Sequence, residues 1–120
     1  MELGRAQIVR TVKRLAEAIG YLELGMTQRA LDVLEGIEEP GPFTAVAEML
    51  RGEAARLEDR LPDAVYSFEK AARMLAAPDN KSIWYALSQF HLKSGDIDAA
   101  IETLSYARGV RPRRTGPKTR

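Results

Sequence analysis

The feature that most limits how this sequence can fold is a set of three alanines, Ala30, Ala64 and Ala100, spaced 34 and 36 residues apart. Four residues after each stands a large apolar side chain, Leu34, Phe68 or Leu104. Seven after each comes Ile37, Ala71 or Ala107. Steps of four and seven keep side chains on one face of a helix. A small residue on that face lets a second helix approach closely, and the large one fills the space beside the crossing. Self-similarity at such a period marks a stacked repeat, whose units cannot bury their apolar faces alone.

The rest of the chain agrees with helices in pairs. Apolar residues recur at helical spacing and no alternating strand pattern appears. Ile8, Val12, Leu15, Ile19 and Leu22 form one stripe of a long first helix, which Gly25 closes. Thr27 is expected to cap a second helix running to about Ile37, and Thr44 a third ending near Glu58. Pro62 suits the first turn of a fourth. The fifth is expected over 82–94, and Gly95-Asp96 then closes it and caps a sixth, ending by Gly109 or Val110. The breaker-rich stretches "EEPGPF" and "AAPDNK" separate the pairs.

Composition narrows the function classes. A chain of 120 residues has room for one modest core. It has no cysteine, hence no disulfide framework, thiolate metal site or cysteine nucleophile. No run approaches the length of a membrane span, and the N-terminus lacks the apolar core of a signal peptide, so a cytoplasmic protein is expected. The formal charge of +1 is unevenly spread. Residues 1–107 hold 12 basic and 17 acidic groups, whereas Arg108, Arg111, Arg113, Arg114, Lys118 and Arg120 follow with no acid. Residues 111–120 are expected to be a disordered basic tail behind a domain at 1–110.

In the third pair Trp84, Leu87, Ser88, Gly95, Ala100, Leu104, Ala107 and Pro112 together resemble the tetratricopeptide repeat, with His91 where that motif has Tyr. The first pair resembles it at Ala18, Tyr21, Gly25, Ala30, Leu34 and Pro42, but carries Arg14 and Glu17 at the usual Trp and Leu positions. The second does so at Gly52, Ala64, Phe68 and Ala71, with Asp59 replacing the turn glycine. The resemblance implies an all-α, right-handed α-solenoid of three helix–turn–helix hairpins, with repeats at about 11–42, 45–78 and 81–112. It also implies that Trp84 and Leu87 belong to a hairpin core.

By the same resemblance, the chain is expected to be a protein–protein interaction module whose first helices line a concave groove for a peptide or helix. The implied groove residues are Val12, Leu15, Ile19, Leu22 and Glu23, then Val46, Met49, Glu53 and Arg56, then Ser82, Tyr85, Gln89 and Lys93. One end is apolar and the other polar. The set lacks the Lys, Arg and Asn cluster that clamps a peptide carboxylate in chaperone-cofactor members. "WYALSQFHL" also resembles a stretch of the needle-subunit chaperones of type III secretion, which makes a small secretion-type chaperone an alternative. A nucleic-acid or anionic-surface helper using Arg111, Arg113, Arg114, Lys118 and Arg120 is another. The first-helix stripe is expected to be covered by a ligand segment or by a second copy of the chain, and the last helix, where Ile101 and Leu104 lack the usual covering helix, by dimerisation or by a partner unless the array is a fragment.

Reactive chemistry has little to stand on. His91 is the one histidine, with Ser88 and Ser94 about one turn to either side. A Ser–His pair needs an orienting group and an oxyanion site, and nothing marks either. Asp96 and Asp98 read as helix-start residues, without a calcium-loop pattern. No phosphate loop or dinucleotide fingerprint occurs. A non-enzyme without metal or cofactor is expected.

Overall fold

The computed structural model describes residues 4–38 and 40–109. Six helices follow one another: α1 (Arg5–Glu23), α2 (Thr27–Glu35), α3 (Thr44–Leu57), α4 (Leu61–Met74), α5 (Lys81–Lys93) and α6 (Ile97–Ala107). No strand occurs among the described residues. A 3-10 turn at Gly41–Phe43 leads into α3. The helices pair as α1–α2, α3–α4 and α5–α6, and the pairs stack in chain order as a helical-hairpin solenoid, 50 × 32 × 21 Å.

The turn inside each hairpin is the same object three times. The backbone takes positive φ at Gly25 (74°), Asp59 (60°) and Gly95 (83°), at intervals of 34 and 36 residues that match the alanine spacing. In each turn the next N–H, of Met26, Arg60 or Asp96, donates to a carbonyl five residues back, of Tyr21, Ala55 or His91, at 2.8, 2.8 and 2.9 Å. This closure satisfies helix-end carbonyls by turning one residue left-handed. Asp59 does so with a Cβ, at the position where the repeat motif has its turn glycine.

Two rows of small residues bring the hairpin arms together. Ala18, Gly52 and Ser88 occupy equivalent positions on the first helices, and Ala30, Ala64 and Ala100 on the second; all are buried. At Gly52 an added Cβ would lie 3.0 Å from three ring atoms of Phe68, so the ring occupies the space a side chain would need. One core joins Leu15, Ala18, Leu22, Ala30 and Leu34 to Ala47 and Ala54 of α3. The other joins Ala45 and Ala55 of α3 to Phe68, Ile83, Trp84 and Leu87. Helix α3 serves both cores, and its inward residues are therefore mostly alanine.

Some local expectations change. Thr27 and Thr44 are the first residues of their helices and cap neither. The Thr44 hydroxyl donates to the Gly41 carbonyl at 2.7 Å. The Thr27 hydroxyl donates to the Glu58 carboxylate of the next hairpin and, with Arg60, holds that carboxyl below the ordinary carboxylate range. Helix α2 ends at Glu35, two residues short of Ile37. Asp96 does cap α6, accepting the Ala99 N–H at 3.1 Å. The tail assigned to 111–120 lies outside the described residues.

Two substitutions test the register. Ala64→Leu is expected to cost about 1–3 kcal/mol by overpacking the crossing, read as a lower thermal midpoint. Asp59→Gly is expected to stabilise by about 1 kcal/mol, because glycine takes the left-handed conformation without a Cβ clash. A lower denaturation midpoint for Asp59→Gly would contradict the turn assignment.

Candidate partner-binding surface

Equivalent positions in successive hairpins form rows along the array, and the rows have different fates. The row Leu15, Met49, Tyr85 runs from core to surface. Leu15 is 6 % exposed and packed in the first core, Met49 packs partly buried against the second, and Tyr85 is 55 % exposed. The reason is stacking: α3 covers the first hairpin, α5 covers the second, and no described element covers the third. The row Leu22, Arg56, Leu92 likewise begins buried and ends exposed. Leu15 and Leu22 are therefore corrected from groove residues to core residues. The five-residue stripe on α1 is not one continuous sticky face.

What remains open on the first-helix side is a narrower row. Val12 and Ile19 of α1 and Val46 of α3 are 46, 40 and 37 % exposed. Glu23 is exposed near the end of α1. Further along, Glu53 and Arg56 form an ion pair one turn apart on α3. The exposed side chains of Ser82, Gln89 and Lys93 continue the surface on α5. Along this side the exposed residues are aliphatic on α1 and at Val46, and polar or charged from Glu53 onward, apart from Tyr85. The basic residues Arg111, Arg113, Arg114, Lys118 and Arg120 lie outside the described residues.

The positions that could have held chemistry are used structurally. The Ser88 hydroxyl donates to the Tyr85 carbonyl at 2.6 Å and Ser94 to the His91 carbonyl at 3.1 Å, so both are turned to backbone. Among the described residues no cluster of three or more His, Cys, Asp or Glu could hold a metal ion. No described helix is long and apolar enough to cross a membrane. Trp84 stacks on Tyr106 of its own hairpin at 4.6 Å between centroids, with the Arg73 guanidinium 5.4 Å from its ring. In the second hairpin the equivalent pair is Glu48 and Lys70, at 3.5 Å, with Arg51 also on Glu48 at 3.0 Å. An aromatic stack and an ion pair thus occupy the same place in successive units.

Sequence reasoning gave no binding role to Leu92 and Ile97, which lie exposed beside Ile101 and Leu104. The signal was available: 36 residues earlier their neighbours' counterparts, Val65 and Phe68, are packed beneath α5.

This geometry defines a helical-hairpin repeat protein that offers side-chain surfaces and no assembled reactive group among the described residues. Residues 55–112 match the tetratricopeptide repeat family model, which places this half of the helical array in the tetratricopeptide repeat family. The first hairpin lies outside the matched span and repeats the same turn. No curated protein and no solved structure gives a significant match. Proteins of this family typically mediate protein–protein interaction.

The row analysis is tested by neighbouring charges. Leu15→Glu is expected to destabilise by about 3 kcal/mol or more, because it buries a carboxylate in the first core. Val12→Glu, less than a turn away, is expected to stay within about 0.5 kcal/mol of wild type. Thermal unfolding followed by circular dichroism checks both, and equal losses would contradict the two-face description of α1.

Proposed function

We propose that this chain is a non-catalytic, cytoplasmic protein-binding module that holds a helix or extended segment of a partner along the surface of α1, α3 and α5. The observation that carries the reading is the exposed aliphatic set Val12, Ile19 and Val46, followed along the same side by Glu53, Arg56, Gln89 and Lys93. A segment with apolar anchors at one end and polar groups at the other complements such a surface. Helix-in-groove recognition works this way, with anchors at helical spacing. Apolar burial yields about 25 cal/mol per Å², and much of it offsets lost freedom, so three side chains support modest affinity. Modest affinity suits an adaptor or a chaperone-like holder.

The test is capture of partners from source-cell lysate, followed by titration of the recovered partner against variants. Ile19→Glu combined with Val12→Glu is expected to weaken binding by at least about tenfold, at about 1.4 kcal/mol per decade, with unchanged helix content. His91→Ala is expected to bind as wild type does. Undiminished binding by the double variant contradicts the surface assignment. Loss of a hydrolytic or transfer activity in His91→Ala contradicts the non-catalytic reading.

A further inference from the structure

Comparison of the repeats shows a face on the third hairpin that no described residue covers. Between α3 and α4, Met49, Val65 and Phe68 form a cleft wall that α5 covers: Phe90 stacks on Phe68 with ring centroids 5.7 Å apart, and Ile83 and Leu87 join the same core. The corresponding positions 36 residues later are Tyr85, Ile101 and Leu104. They line an open cleft of about 180 Å³ between α5 and α6, continued by Leu92 and Ile97. Ile101 is 59 % exposed, and among the described residues none lining the cleft is charged. Apolar surface gathered in this way, and covered one repeat earlier, is a mark of an interface.

We propose that a second copy of this chain covers this face in a two-fold, antiparallel pairing of the last hairpins. Other ways of covering this face from the same sequence fail on chemistry. In a head-to-tail stack, α1 of the next copy would take the place of α5. Its residues at the positions of Ile83, Leu87 and Phe90 are Lys13, Glu17 and Gly20, which would set two charges on an uncharged cleft. Residues 110–120 contain five basic residues, two prolines and one large apolar residue, Val110, so their sequence supplies no apolar helix face.

Charge favours the symmetric arrangement. Exposed Asp98 and Glu102 lie in the first half of α6, and exposed Arg108 stands at its end. When two α6 helices run antiparallel, each Arg108 comes beside Asp98 of the other copy, and the helix dipoles oppose. A two-fold contact uses one patch on both copies and closes at two. Helices of 13 and 11 residues give a face about 20 Å long and about 20 Å across, a footprint of roughly 400 Å². That is small beside the roughly 800 Å² per partner of a standard interface, so the dimer is weak and concentration-dependent.

The inference does not rest on the groove reading: Tyr85 and Gln89 of α5 border both surfaces, but the apolar residues Ile97, Ile101 and Leu104 that carry it belong to α6 and have no part in the groove. Sedimentation velocity of the full chain from micromolar to millimolar concentration is expected to show a reversible monomer–dimer equilibrium that Val12→Glu leaves unchanged. Ile101→Glu is expected to sediment as monomer throughout with unaltered circular dichroism. Asp98→Arg and Arg108→Asp are each expected to weaken the dimer, and their combination to restore it. A wild type that stays monomeric, an open-ended series of larger species, or Ile101→Glu pairing as wild type does would overturn the proposal. Failure of the combined variant to restore pairing would overturn the antiparallel arrangement.

Discussion

Everything in this protein depends on how closely two helices approach within one hairpin. Ala18 with Ala30, Gly52 with Ala64, and Ser88 with Ala100 supply the small residues at that approach. With so little side chain at the crossing, the large residue four positions on, such as Phe68, can lie across the facing helix; its ring meets the site of the missing Gly52 side chain at 3.0 Å. Interior packing is dense enough that an added methyl group is felt there. The crossing sets the pitch of each hairpin, and the pitch sets which residues the next hairpin covers.

Stacking then divides each first helix between two tasks. One row of positions is covered by the following hairpin and the adjacent row is left open, although both carry apolar side chains on α1. Leu15 and Val12 sit three residues apart and belong to different rows. Burial in such an array is a nearest-neighbour property, so equivalent residues change state at the ends. Tyr85 differs from Leu15 in its exposure chiefly because α3 packs on α1 and nothing among the described residues packs on α5 and α6 in the same way. The two ends also differ in chemistry: Lys13, Arg14 and Glu17 face outward at one, and Ile97, Ile101 and Leu104 at the other.

The fold was readable because its signals are local and repeat. Alanine spacing, turn glycines and the breakers at 38–43 and 76–81 each report on a few residues, and agreement among them carried the hairpin order. Pro62 and Asp96 stand where helix starts need them. Thr27 and Thr44 misled because a threonine beside a turn has other partners: Thr27 reaches Glu58 in the next hairpin. The surface was only half readable for a related reason. Helical periodicity marks that a position is apolar, and both a stacking row and a binding row satisfy it. Separating Leu15 and Leu22 from Val12 and Ile19 required knowing where α3 lands on α1. That long-range fact is visible in sequence only by comparing position with position across the repeats.

The most direct test uses the absence of native cysteine to read burial one row at a time. Single variants Leu15→Cys, Met49→Cys and Tyr85→Cys, each labelled with a small thiol reagent under dilute native conditions, report how well each position is covered. The account predicts that Cys at 15 reacts slowest, at 49 at an intermediate rate, and at 85 nearly as fast as in an unfolded chain, with Val12→Cys also fast. Equal rates along the row, or a protected position 85 in the monomer, would contradict the stacking order on which both surface assignments rest.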